Sequence, residues 1–310
     1  ESIKLHLRSD VPVGSCLSGG LDSSAVVCSV NAQLAEQSNP PAQNTFSACA
    51  HESRFDERPW VDQVVQHTHV TPHYVYPDEN GLFEQLDRIT WHQDEPFGSC
   101  SIYYQWAVFN LAHSAQIKVM LDGQGADEIL AGYHPFFAPL LWRMFHEGKW
   151  VQLWREMRAI RRRHGYSIFN QLQRVATNIL PERLRQGFRA ALGKSAVHNP
   201  LINIERLGAK AEDPAVALGG KAGSIAEYSA AQLTTLNLPM LLHCEDRNSM
   251  AHSVEARVPF LDPPMVEWVL GLPDERKIRD GVTKQVLREA LADLLPSTIL
   301  GRMDKMGFVA

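Results

Sequence analysis

Seven consecutive residues, Ser18-Gly19-Gly20-Leu21-Asp22-Ser23-Ser24, combine two glycines, three hydroxyls and one carboxylate. Glycine lets the backbone approach a ligand closely and take positive φ. A helix starting just after the pair would offer unpaired N–H groups and the positive end of its dipole to an anion. The hydroxyls of Ser18, Ser23 and Ser24 add donors. Asp22 would repel a phosphate unless a divalent cation lay between them, so the run predicts a Mg²⁺ bridge. The Gly-Lys-Ser/Thr ending of a Walker loop is absent, as is G-x-G-x-x-G. A bare Ser-Gly-Gly would be an N-capped helix after a glycine turn; all seven residues behind a strand predict a phosphate-binding loop.

A second run, Asp122-Gly123-Gln124-Gly125-Ala126-Asp127-Glu128 followed by Gly132-Tyr133, has the same logic. Its glycines can approach a nucleotide, and Asp127 can supply a second ligand to the Mg²⁺ held by Asp22. His67, His69 and His73 lie close together but lack H-E-x-x-H or third-ligand spacing, so they predict solvent-facing or capping roles rather than zinc.

The elements needed to position these runs are legible in the hydrophobic pattern. Strands are predicted at 11–17, 45–50, 70–75 and 117–121, and helices at 22–37, 59–67, 82–91 and 103–114. Strands alternating with helices imply parallel β-α-β units, hence an α/β doubly wound, mostly parallel sheet flanked by helices. In such sheets ligands sit at the carboxyl ends of strands, where both runs fall. The reading divides one domain into a nucleotide-binding core at 1–135, a basic helical segment and loop at 136–224, and a helical part at 225–310 completing the site. In the middle part, residues 143–194 hold twelve Lys or Arg against three Glu. There Trp150, Leu153, Trp154 and Met157 are spaced for one helix face. A helix over 283–294 and core roles for Met240, Leu241 and Leu242 are also expected.

Composition excludes several classes. With 310 residues, 45% hydrophobic and 21% charged, the chain is ordinary globular material that can bury a core without staples. The net charge of −5 gives no global reason to expect nucleic acid. Five cysteines without a C-x-x-C pair fit reduced thiols and a cytoplasmic setting. No apolar run approaches the ~18–20 residues of a membrane span. The opening Glu1-Ser2-Ile3-Lys4 is what a fragment of a longer protein would show.

The first run resembles the loop of N-type ATP pyrophosphatases, of the adenine nucleotide alpha hydrolase-like fold. Three further stretches narrow the resemblance: Asp246-Arg247-Asn248-Ser249-Met250-Ala251, Val254-Glu255-Ala256-Arg257-Val258-Pro259-Phe260-Leu261-Asp262, and Lys305-Met306-Gly307-Phe308. With Arg8-Ser9-Asp10-Val11-Pro12-Val13-Gly14, they look like the synthetase domain of glutamine-hydrolysing asparagine synthetases. The resemblance implies ATP and Mg²⁺ as cofactors, aspartate and ammonia as substrates, and an amino-terminal glutaminase domain as partner. It implies neither nucleic acid nor membrane, and it allows a homodimer.

By that resemblance the aspartate carboxylate attacks the α-phosphorus of ATP, pyrophosphate leaves, and ammonia displaces AMP. Leu17, Ser18, Gly19, Gly20, Asp22, Ser23, Ser24, Ala48, Asp122 and Gly123 are expected to bind the nucleotide, with Asp22 and Asp127 holding the metal. Lys305 and Lys284 match active-site lysines of the family. Arg247 and Arg257 either clamp a substrate carboxylate or pair with Asp246 and Glu255. Gln124 stands where familiar members carry Glu, and Asp122 where they carry Ser. Glutamine cannot accept a proton at neutral pH, so Glu255 or substrate would substitute. Two alternatives remain open: a β-lactam synthetase or lasso-peptide cyclase type enzyme using an amine, and a non-catalytic module docking through 143–194.

Overall fold

The computed structural model describes residues 1–38, 41–172, 206, 208 and 223–303. It divides into two compact units. Unit 1 comprises Glu1–Ala126, Met240–Val269 and Val286–Ala310; unit 2 comprises Asp127–Pro239 and Leu270–Gln285.

Unit 1 begins with α1 (Ser2–His6), β1 (Val13–Cys16), α2 (Leu21–Ala35), β2 (Asn44–Ala48), α3 (Arg58–Thr68) and β3 (Thr71–Val75). It continues through α4 (Glu79–Gln93), α5 (Ser101–Ser114) and β4 (Val119–Leu121). The sheet order is β3-β2-β1-β4-β5, every pair parallel, with β5 at Glu255–Arg257. The order reverses at β1, which pairs with β2 on one side and β4 on the other. A crevice at the carboxyl ends of β1 and β4 is therefore the topological switch point of a doubly wound sheet. Gly14 suits the central strand because a Cβ there would lie 2.8 Å from both Met120 Sδ and Phe46 Cε2. Phe46, Val108, Phe109, Ala112, Ile117, Met120 and Val254 form a core cluster, with α5 packed against β2 and β3.

β5 is a fifth strand beyond the four predicted. Val254-Glu255-Ala256-Arg257-Val258 does alternate apolar and charged residues, but only three of them form the strand, and its pairing with β4 defines it.

Unit 2 is helical among its described residues. α6 (Ala126–Ile129) leads into a 3₁₀ turn at His134–Phe136, then α7 (Phe137–His146) and α8 (Trp150–His164). α9 (Ile225–Ala231) continues as a π-helical turn at Gln232–Leu236. Phe136, Phe137, Leu140, Leu141, Leu153, Met157, Ile160, Ile225 and Ile278 form its core. On α8, Leu153 and Met157 are buried, but Trp150 and Trp154 are 58% and 47% exposed, so the four expected on one face divide. Trp154 instead carries Arg158 over its ring at 5.1 Å. Part of the basic charge is consumed locally. Arg155 Nε donates to Asp280 Oδ1 at 2.9 Å, and Arg163 Nε to the Asp280 carbonyl at 2.8 Å. The basic segment beyond residue 172 lies outside the described residues.

The chain returns to unit 1 along α10 (Leu238–Ala251) and, after β5, through α11 (Pro263–Leu270). α12 (Asp274–Lys277) belongs to unit 2, and α13 (Gln285–Ala290) and α14 (Ser297–Gly301) follow. The expected helix over 283–294 shrinks to α13, because Lys284 sits at φ 55°, which no α-helix accommodates. Met240 is 56% exposed rather than core; Leu238, at 3%, is the residue of α10's first turn that turns inward.

Candidate active site

The strand–glycine–helix arrangement predicted at residues 17–24 is present in unit 1. Leu17 is buried, its N–H bonding to the Phe46 carbonyl at 2.9 Å and its carbonyl accepting from Ser47 Oγ at 2.6 Å. Gly19 adopts φ 70°, and Gly20 caps α2 in extended conformation. The loop is tied internally: Ser18 N–H donates to Ser23 Oγ at 3.2 Å, Ser18 and Ser23 hydroxyls lie 3.0 Å apart, and Gly20 N–H approaches Ser18 Oγ at 3.3 Å. Ser24 is wholly buried, so its hydroxyl faces the protein. Asp22 stands in the first turn of α2, and the Arg288 guanidinium feels its charge.

Asp122 and Gly123 follow β4 beside this helix start. A Cβ on Gly123 would lie 2.9 Å from Ser23 N and 3.0 Å from Asp22 Cβ, so only glycine lets the two turns touch. Both sequence runs thus meet in unit 1 at the β1/β4 switch point. Ala48 ends β2 nearby in the fold, partly buried against the core cluster holding Phe46.

The second run divides between the units after Ala126. Asp127 forms an ion pair with Lys284 in unit 2, Oδ1 to Nζ at 2.8 Å, with side chains 14% and 9% exposed. Gly132 makes room for it: a Cβ there would stand 1.9 Å from Asp127 Oδ1 and 2.3 Å from Lys284 Cε. Glu128, also buried, accepts from Tyr133 Oη at 2.7 Å and Asn237 Nδ2 at 3.1 Å.

The family model for asparagine synthase matches residues 1–310. The chain belongs to the asparagine synthase family. It is 28% identical to asparagine synthetase [glutamine-hydrolyzing] 1 of Bacillus subtilis over 315 residues, covering 99% of this chain and 48% of that protein. It is 27% identical to asparagine synthetase [glutamine-hydrolyzing] 3 of the same organism, covering 97% and 46%. Amidase chyE of Penicillium rubens is 26% identical over 94% of this chain and 48% of its own length. The chain thus spans about half the length of these relatives.

Among the residues expected to matter in an asparagine synthase, Gln124 is partly buried, and its backbone N–H donates to the Asp122 carboxylate. Glu255 is exposed and paired with Arg257 Nε at 2.7 Å. Arg257 Nη1 also donates to the carbonyls of His6 and Arg8, at 2.7 and 2.9 Å, tying β5 to the amino-terminal segment. Arg247 pairs with Asp94 at 2.8 Å rather than with Asp246. Lys305 lies outside the described residues. The three histidines have ordinary duties: His67 Nε2 meets the Leu294 carbonyl at 3.0 Å, His69 ends α3, and His73 meets Asn44 at 2.9 Å. No group of three His, Cys, Asp or Glu placed to hold a metal occurs among the described residues. No described helix is long and apolar enough to cross a membrane.

Sequence reasoning missed a buried acidic cluster behind the Asp122 turn. Glu245 of α10 is 2% exposed, and neither carboxylate oxygen has a hydrogen-bond partner. Burial, then the neighbouring Asp122 and Asp246, push its carboxyl well up. Burial also raises Asp122, against hydrogen bonds from the Cys16 thiol and two backbone N–H groups. The thiol is itself pushed well up by burial and by Asp122 and Glu245. A Glu within Cys244-Glu245-Asp246-Arg247 on a helix reads as surface charge; only the helix's docking behind the switch point turns it inward.

Proposed function

We propose that this chain performs the amide-forming half of asparagine synthesis. Aspartate's side-chain carboxylate attacks the α-phosphorus of ATP, giving an acyl-adenylate and pyrophosphate, and ammonia then displaces AMP to leave asparagine. The observation that carries this reading is the junction at the switch point. There the turn behind β1 offers the first N–H groups of α2, and Gly123 lets the turn behind β4 close on them. Negative charge grows on the departing pyrophosphate, and preorganised N–H donors with a helix dipole stabilise it without reorganisation.

The residues fit Mg²⁺. Asp22 is a hard oxygen donor in the same helix turn as the proposed phosphate donors. Asp22 is the proposed ligand, and Asp127 the second candidate. When bound, the ion would neutralise phosphate charge that Asp22 otherwise opposes. Leu17, Ala48 and Asp122 are the proposed adenosine contacts. Lys284 and Lys305 are the proposed cations for the amide step, in which a tetrahedral oxyanion forms. Glutaminase-supplied ammonia, a cytoplasmic setting and a homodimer belong to the same proposal.

A second reading keeps adenylation and changes the nucleophile to an amine. Gln124 bears equally on both readings, since glutamine cannot take the proton that either ammonia or an amine must lose, and exposed, ion-paired Glu255 is a poor substitute. One assay separates the two. Pyrophosphate, AMP and asparagine are quantified from Mg-ATP with and without aspartate and ammonium chloride. All three products together support asparagine synthesis. Aspartate-dependent pyrophosphate without asparagine supports the amine reading. Absence of pyrophosphate with any carboxylate, in this chain and in the full-length protein, overturns both.

A further inference from the structure

Arg302 follows α14 and is 5% exposed, a rare burial for an arginine. Its Nη1 donates to the Gly19 carbonyl at 3.0 Å, and its Nη2 to Glu57 Oε1 at 2.6 Å. The guanidinium lies over the Trp60 ring, 4.9 Å from its centroid. Glu57 caps α3, its carbonyl accepting from the N–H groups of Trp60 and Val61 at 3.0 and 3.1 Å. Trp60 is also what holds Gly19 close: a Cβ there would lie 2.6 Å from Trp60 Cβ. The backbone carbonyl of Arg302 accepts from Arg288 Nη2 at 2.9 Å, and that of Leu300 from Arg288 Nη1. The guanidinium is thus fixed by a carboxylate, an aromatic face and its own backbone, and is aimed at one carbonyl of the phosphate loop.

An arginine this near a phosphate loop invites the reading of a phosphate ligand. Its geometry says otherwise, because two of its donors are committed to protein oxygens and water has almost no access to it. The carbonyl of Gly19 and the N–H of Gly20 belong to one planar peptide and point in opposite directions. Holding the carbonyl therefore fixes where the N–H points, which is into the loop, where it approaches Ser18 Oγ at 3.3 Å. A glycine-glycine peptide is the one most free to turn over, and turned over it would aim a carbonyl oxygen at the anion. We propose that Arg302 is a positioning residue that holds the Gly19–Gly20 peptide in its anion-accepting orientation. The inference rests on reading residues 18–24 as the pyrophosphate loop.

Titration calorimetry with ATP, pyrophosphate and adenosine in Mg²⁺, on wild type, Arg302→Gln and Arg302→Lys, tests it alongside melting temperature. Arg302→Gln should weaken ATP and pyrophosphate at least tenfold while adenosine stays within twofold. Arg302→Lys should recover part of the loss, because an ammonium can still donate to Gly19 though not to Glu57 as well. In turnover, KM for ATP should rise more than kcat falls. Adenosine weakening in step with ATP, or unchanged pyrophosphate affinity, overturns the inference. If Arg302→Gln does not fold, Glu57→Gln serves: it keeps the bond to Gly19 but loosens the guanidinium. It should weaken pyrophosphate selectively and to a smaller degree, and equal weakening of adenosine overturns the inference. A wild-type protein that binds neither ATP nor pyrophosphate overturns the proposed function and this inference together.

Discussion

Glu245 shows what a single side chain can cost. A carboxylate with both oxygens buried and unpartnered must either keep its proton or remain charged without solvent. Its folded pKa is raised above the reference value of 4.5, so the native state retains a proton that the unfolded chain releases. Stability on this account falls as pH rises above about 4.5. Glu245→Gln should therefore be more stable than wild type at pH 8 by about 1–3 kcal/mol, with the gap closing toward pH 4.5 in urea titrations. A variant that unfolds more easily at pH 8 would show that the charge is compensated. The pair Asp127–Lys284 behaves in the opposite way, since each partner supplies what the other needs. Lys284→Met should cost about 3 kcal/mol, and adding Asp127→Asn should restore part of it, a coupling that a double-mutant cycle reads directly. The sequence made the phosphate loop visible because its chemistry is contiguous. It could not reveal that Lys284 meets Asp127, 157 positions earlier, since nothing local encodes that encounter.

Among elements, the two glycine turns do the positioning. Gly19 at φ 70° lies in the left-handed region and against Trp60, so Gly19→Ala is strained twice over. It should lose about 1–3 kcal/mol of stability along with ATP affinity, as thermal melts and calorimetry would show. Gly123→Ala has no such dihedral conflict and meets the backbone of α2, so it should weaken ATP with a smaller loss of stability. Equal stability losses in the two variants would refute that distinction. Four strands and the four helices between and beside them were legible from the hydrophobic pattern because each buries a face of usable length. β5 was passed over, because the alternation of Val254 to Val258 is short and becomes a three-residue strand only beside β4. The helix expected at 283–294 failed for a related reason: its apolar spacing is real, but the left-handed Lys284 delays the start to Gln285.

For the molecule as a whole, pH response should be set by buried groups more than by net charge. His252 is 5% exposed, edge-on to Trp106 at 4.4 Å, and its pKa is lowered to about 4 by burial and then by Arg88, His113 and His92. The unfolded chain therefore binds a proton there that the native state refuses, so the contribution is intact above about 6.5 and declines toward pH 4. His252→Gln should flatten the acid limb of a stability–pH curve measured by urea unfolding; an unchanged limb would assign it to other groups. The sheet carries a further consequence, one of timing. The 133 residues 122–254 separate β4 from its partner β5. On a ribosome moving at roughly 5–20 residues per second, that edge of β4 waits about 7–27 s for the strand that covers it. An unpaired edge is a template for any passing strand, so the nascent chain, more than the finished one, is where a chaperone would find work.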